Sequence, residues 1–117
     1  ADDSETSFVS SIQLWIQCTD NQIRLYIDWD TFITTQSPLV TWRVGSDMAE
    51  TSNWNISTDY QGTFHPSPNA LITQLVRSGD ESFVAQVTPY GENPLTATWE
   101  LVGIEQAVQP VRKACGW

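Results

Sequence analysis

IQLWIQCTDNQIRLYIDW, residues 12–29, alternates twice between apolar and polar side chains. Ile12, Leu14, Ile16 and Cys18 are interleaved with Gln13, Trp15 and Gln17; Ile23, Leu25, Ile27 and Trp29 are interleaved with Arg24, Tyr26 and Asp28. Successive side chains of a strand point to opposite faces, so each run reads as a strand with one buried face. The polar TDNQ between them predicts a turn. If Cys18 faces Ile23 across a four-residue loop, paired residues have numbers that sum to 41. Leu14 then meets Ile27 and Ile16 meets Leu25 on the inner face, while Trp15 meets Tyr26 and Gln13 meets Asp28 on the outer face. A slip of one residue would turn the core face to water, so the pattern itself selects this register.

Working outward, Val40, Trp42 and Val44 alternate with Thr41 and Arg43, and Trp54 and Ile56 with Asn55 and Ser57, giving a third and a short fourth strand. DYQG turns the chain into Thr63–Phe64. Ser67 suits an N-cap with Pro68 at the first helical position. Leu71, Ile72, Leu75 and Val76 follow at helical spacing, and Gly79 suits the stop. Phe83, Ala85 and Val87, then Leu95, Ala97, Trp99 and Leu101, mark two more strands joined by PYGENP. After Gly103 the period becomes helical, with Ile104, Ala107, Val108, Val111, Ala114 and Cys115 on one stripe. Pro110 should kink or restart that helix. The order β-β-β-β-α-β-β-α predicts an α+β fold, a small twisted antiparallel β-sandwich with two helices packed on it. Residues 1–11 are expected as a flexible acidic leader and residues 12–117 as a single domain.

Cys18 ends an inward-facing run, Cys115 ends the last apolar stripe, and there is no other cysteine. In an oxidising compartment the two should pair, which ties down the C-terminal helix and lets Trp117 cap the core. Two buried free thiols in a cytosolic protein are the alternative.

Fourteen acids against five bases give a net charge of −9. A phosphate backbone or an anionic membrane surface needs a basic patch that five bases cannot build, so nucleic acid is excluded as a partner. No run of 18 apolar residues exists, so no direct membrane insertion is expected. The chain begins at Ala1 rather than Met, as a chain does after loss of a signal peptide or when it is part of a longer one.

Catalytic signatures are absent: there is no HExxH, GxSxG, GxxxxGK[ST], GxGxxG or CxxC, and only one histidine. His65 could pair with Ser67 or Asp59 as a hydrolytic dyad, but a loop histidine bonded to backbone is the plainer reading. Asp28 and Asp30 sit at i, i+2 spacing as paired carboxylates, or as solvated acids held by Arg24 or Arg43. No cofactor or metal is expected. The outer Trp15/Tyr26 pair, flanked by Gln13, Gln17 and Asp28, has three readings. It is a second core under a helix, the centre of a protein interface, or a platform for a sugar ring. Arg43, on an outward position, can grip a partner carboxylate or form an internal salt bridge to Asp59 or Asp28.

LWIQCTDNQIRLYIDWDTFI, VTWRVG, NWNISTDYQGTFHPSP and VTPYGENPLTATWELVGIEQAVQPVRKACGW together resemble the VasI/TagO family of type VI secretion-associated proteins. The resemblance covers nearly all of residues 12–117. Its strongest pieces are Trp54, Ser57 and Asp59, the Thr88–Gly91 stretch, and the ending with Arg112, Cys115 and Trp117. It implies an exported Gram-negative envelope protein encoded with a secretion apparatus, without enzymatic activity or cofactor. Family members are usually longer at the N-terminus, with a signal peptide and further cysteines, so the chain looks like a C-terminal domain. The expected function is a periplasmic interaction module that binds an envelope protein of the apparatus through Trp15, Tyr26, Arg43 and Asp59. A peptidoglycan-binding module is the alternative.

Overall fold

The hairpin takes the register read from its pattern. In the computed structural model, which describes residues 4–8, 12–79 and 81–116, β1 (Ser4–Phe8) is followed by β2 (Gln13–Thr19) and β3 (Gln22–Asp28). Leu14 faces Ile27, Trp15 faces Tyr26, Ile16 faces Leu25 and Cys18 faces Ile23. The turn is tighter than expected. Thr19 still pairs with Gln22, leaving a two-residue loop of Asp20 and Asn21 with φ of 51° and 60°. Positive φ at both positions is the condition of a type I′ turn, whose twist matches the strands it joins, and Asp and Asn tolerate it.

The remaining elements are β4 (Leu39–Val44), β5 (Glu50–Asn53), β6 (Asn55–Ile56), β7 (Gly62–Phe64), α1 (Pro68–Arg77), β8 (Ser82–Val87), β9 (Leu95–Glu100), α2 (Ile104–Ala107) and α3 (Gln109–Cys115). They form two antiparallel sheets, ordered β1-β2-β3-β7-β6 and β5-β4-β8-β9. The fold is therefore the expected α+β sandwich. The short strand expected over residues 54–57 forms only as β6, and β5, which was not expected, precedes it in the other sheet. β5 pairs with β4, β6 pairs with β7, and the fully buried Trp54 is the crossing residue. Pro110 restarts the last helix, separating α2 from α3 at Val108.

Two further expectations are corrected. Residues 4–8 of the supposed leader are a strand, paired along the free edge of β2 from Ser4↔Cys18 to Phe8↔Leu14. An open strand edge is a template for any backbone with free donors and acceptors, whatever its side chains. Ser67 occupies the N-cap of α1, but its hydroxyl makes no capping bond. Its N–H instead donates to Nδ1 of His65 at 2.9 Å. The expected cap of Trp117 over the core lies outside the described residues.

One core fills the space between the sheets. Leu14, Ile16, Leu25 and Ile27 meet Val40, Ala85 and Phe83 from the other sheet, and Leu71, Ile72, Leu75 and Val111 from the helices. The large aromatics bring polar ends that need partners. Trp29 Nε1–H donates to the buried Thr63 hydroxyl at 3.0 Å, and Trp99 Nε1–H donates to the carbonyl of Ile12 at 3.2 Å. Cys18 and Cys115 are bonded, with Cα atoms 5.8 Å apart, so the C-terminal helix is tethered to the inner face of β2.

Candidate functional site

The outer face of the five-stranded sheet carries the candidate site. Cα partners run in one row from Ser7 through Trp15, Tyr26 and Phe64 to Asn55. Three consecutive members of that row are aromatic because the registers of three separate strand pairs coincide there. Trp15 and Tyr26 stack with ring centroids 6.3 Å apart and planes within 10°. Tyr26 and Phe64 stack at 4.8 Å and 30°. All three side chains are half-buried. Among the described residues no helix covers the row, since the helices give their apolar residues to the inner core and Cys115 reaches the Cys18 side of β2. That removes the second-core reading of the Trp15/Tyr26 pair.

Tyr26 is held from both sides. β2 and β7 flank β3, so Trp15 and Phe64 occupy opposite faces of its ring. Polar groups rim the row. Trp15 Nε1–H donates to Gln13 Oε1 at 3.0 Å. Gln17 faces Arg24 on one side, and Asp28 lies opposite Gly62 on the other. A cleft of about 220 Å³ beside the row is lined by Gln17, Tyr26, Asp28, Ser57, Asp59 and Phe64. Sequence reasoning missed Phe64 and Arg24 as members of this surface. The TF pair at 63–64 was visible, but its placement beside Tyr26 depends on a pairing with β3 across more than thirty residues.

Asp59 is present at this site, though largely as a builder of the turn between β6 and β7. Its Oδ1 accepts the Ser57 hydroxyl and the Gln61 N–H (3.1 Å), while Ser57 Oγ accepts the Gly62 N–H at 2.8 Å. These bonds favour the charged form. The Ser57 hydroxyl, then the Gln61 amide, hold the Asp59 carboxyl below the usual carboxylate range. Such a group contributes turn stability at neutral pH that is lost as pH falls through its lowered pKa.

Arg43 is not part of the surface. It is exposed on β4, where Val40, Trp42 and Val44 point inward, so it projects from the outer face of the opposite sheet. Among the described residues it makes no ion pair, so the salt bridge to Asp59 or Asp28 is corrected: the two sheets hold these groups on opposite sides of the sandwich. Asp28 and Asp30 do not share a strand face either. β3 ends at Asp28, Asp30 takes a left-handed backbone (φ 58°), and its N–H donates to Asp28 Oδ1 at 3.0 Å.

His65 is a framework residue. Its ring meets Trp54 edge-on at 4.9 Å and Trp42 at 5.3 Å, and Nδ1 accepts the backbone N–H of Ser67, not its hydroxyl. Burial against these indoles pushes its imidazole below the ordinary value of 6.5. Above that value the folded and unfolded rings are both neutral. As pH falls through it, the unfolded ring gains a proton that the folded ring resists, so stability declines until the folded pKa is passed. The native chain should therefore unfold at lower urea concentration as pH falls from 7 through 6.5. His65→Asn, which retains an acceptor near the Nδ1 position, should have a shallower slope; equal slopes would show that the ring does not drive the change.

Among the described residues no helix is long and apolar enough to cross a membrane, and no cluster of three His, Cys, Asp or Glu could hold a metal ion. The aromatic row is a surface able to stack, pack and hydrogen-bond. Comparison with protein-family models, curated proteins and solved structures finds no match to this chain.

Proposed function

We propose that this chain is a non-enzymatic accessory module of the bacterial periplasm that binds a protein of a type VI secretion apparatus. The observation that carries the binding role is the uncovered, half-exposed Trp15–Tyr26–Phe64 row with its polar rim. Tryptophan and tyrosine dominate the centres of protein interfaces because they bury much area at little entropic cost, and a polar rim excludes water around them. The disulfide fits an oxidising compartment. The periplasm and the secretion context come from the likeness to the VasI/TagO family described above.

Ring geometry favours a protein partner over a peptidoglycan strand. A sugar stacks on a free aromatic face, and Tyr26 has both faces engaged by its neighbours. A protein surface can instead pack against ring edges and the rim.

Trp15→Ala should leave the fold intact, since the side chain stands outside the core. It should weaken capture of the envelope partner at least about tenfold, the size of a single tryptophan hot spot. Native tryptophan fluorescence should stay unchanged on titration with muropeptides. Undiminished capture by the variant would remove the row as the contact, and a saturable muropeptide response would favour the glycan reading.

A further inference from the structure

Six large apolar side chains are exposed among the described residues, and four of them, Phe32, Leu39, Tyr60 and Tyr90, belong to one end of the sandwich. Among the described residues, three connections tie that end together: 29–38 between β3 and β4, 57–61 between β6 and β7, and 88–94 between β8 and β9. Their backbones are tied to one another. The Trp29 N–H donates to the Gln61 carbonyl at 2.9 Å, the Ile33 N–H to Tyr60 at 2.8 Å, and the Tyr90 N–H to Ile33 at 2.8 Å. Ile33 is fully buried beneath this junction, and Phe32 meets Tyr60 edge-on at 6.1 Å.

One of these residues is strained. Tyr60 has φ of 61°, a left-handed backbone rare for a bulky side chain, whereas Asp30 at 58° takes a conformation that aspartate tolerates. Such backbone persists only where the surroundings over-determine it, and it concentrates at functional sites. Here it lifts the Tyr60 ring to the surface on a loop that is already cross-braced. A contact surface fixed in advance loses little entropy on binding.

Bases are absent from this end. All five basic residues lie elsewhere: Arg77, Arg112 and Lys113 on helices, Arg24 and Arg43 toward the far ends of their strands. Asp28, Asp30, Asp59 and Glu92 sit at the aromatic end. An exposed apolar patch with an acidic rim and no base selects a partner of opposite charge and repels an acidic one.

We propose that this loop end is a docking surface for a basic segment of a partner protein. Its aliphatic side chains pack on Phe32, Tyr60 and Tyr90, and its lysines or arginines meet Asp30, Asp59 and Glu92. The inference rests on the reading of the chain as a protein-binding module and adds a second surface, which adjoins the aromatic row at Asp59 but is built on other aromatic residues.

The test titrates the isotope-labelled chain with a short lysine–leucine peptide and, separately, with a lysine–glycine peptide of equal charge. Amide shifts should concentrate at residues 30–36, 58–61 and 88–92, and the lysine–leucine peptide should bind at least about fivefold more tightly. Phe32→Ser with Tyr90→Ser should abolish that margin, as should Tyr90→Ser alone in part, while Glu105→Gln and Trp15→Ala retain it. Tyr90 is 83% exposed, so its replacement leaves folding unchanged. Shifts spread over all acidic residues with no margin, or an unaltered margin in the double variant, would overturn the proposal. Loss of the margin in Trp15→Ala would overturn it too, by moving the contact to the row. Loss of envelope capture in Trp15→Ala with the margin intact supports two separate surfaces.

Discussion

Cys115→Ser should lower the unfolding free energy by about 3–5 kcal/mol, a large part of what a domain of this size possesses. The bond joins residues 97 apart in sequence, so its loss frees nearly the whole described chain in the unfolded state. On the chain-entropy model such a loop is worth about 4.7 kcal/mol, with native strain and residual structure reducing the yield. The folded side of the balance points the same way. α3 has only seven residues, too few to be helical alone, and only Val111 of it is fully buried. Without the bond, that helix is held by little more than Val111 and the partly buried Ala114. Urea unfolding should show the native protein, when reduced, matching the oxidised serine variant. Identical midpoints for reduced and oxidised native protein would show that the tether does not stabilise the fold.

Trp54→Ala should cost about 3–5 kcal/mol, the usual range for deleting a large buried aromatic. Trp54 has no exposed surface and sits where the chain leaves one sheet for the other. Its backbone N–H donates to the Pro38 carbonyl at 2.8 Å, and its ring packs edge-on against Trp42 at 5.6 Å and His65 at 4.9 Å. Truncation empties the junction of the sheets and removes two aromatic contacts together. Trp54→Phe should be far milder, about 1–2 kcal/mol, because the indole Nε1 is buried with no hydrogen-bond partner among the described residues. Trp29→Phe makes the informative contrast. It strips the buried Thr63 hydroxyl of its donor, so it should cost more than Trp54→Phe although the atoms removed are the same. The reverse order in urea midpoints would contradict the hydrogen-bond assignment at both sites.

The parts of the fold that were legible are those with an apolar face. The β2–β3 register follows from strict alternation, and the restart of the last helix follows from Pro110. β1 and β5 were not legible because SETSF and ETSN have no apolar alternation. Both are edge strands, whose pairing comes from a neighbour's open backbone and not from their own side chains. Trp54 to Ser57 alternates like any strand, and nothing local says that Trp54 carries the chain over from the other sheet and only Asn55–Ile56 pairs. The same non-local choice governs the site. Trp15 and Tyr26 are adjacent because one hairpin makes them so. Phe64 joins them and Arg43 leaves them through pairings between distant segments. Ser57 and Asp59 bond each other and the turn backbone, so their pattern encodes a turn as much as a surface.

The most direct test of the docking face places a photo-reactive benzoylphenylalanine at position 15 of the chain in the envelope of a secretion-competent cell. A matched probe goes at position 98, exposed on the outer face of the four-stranded sheet. The account predicts a discrete adduct with a protein of the secretion apparatus from position 15 and none from position 98. Adducts of equal yield from both positions, or none from position 15, would contradict it.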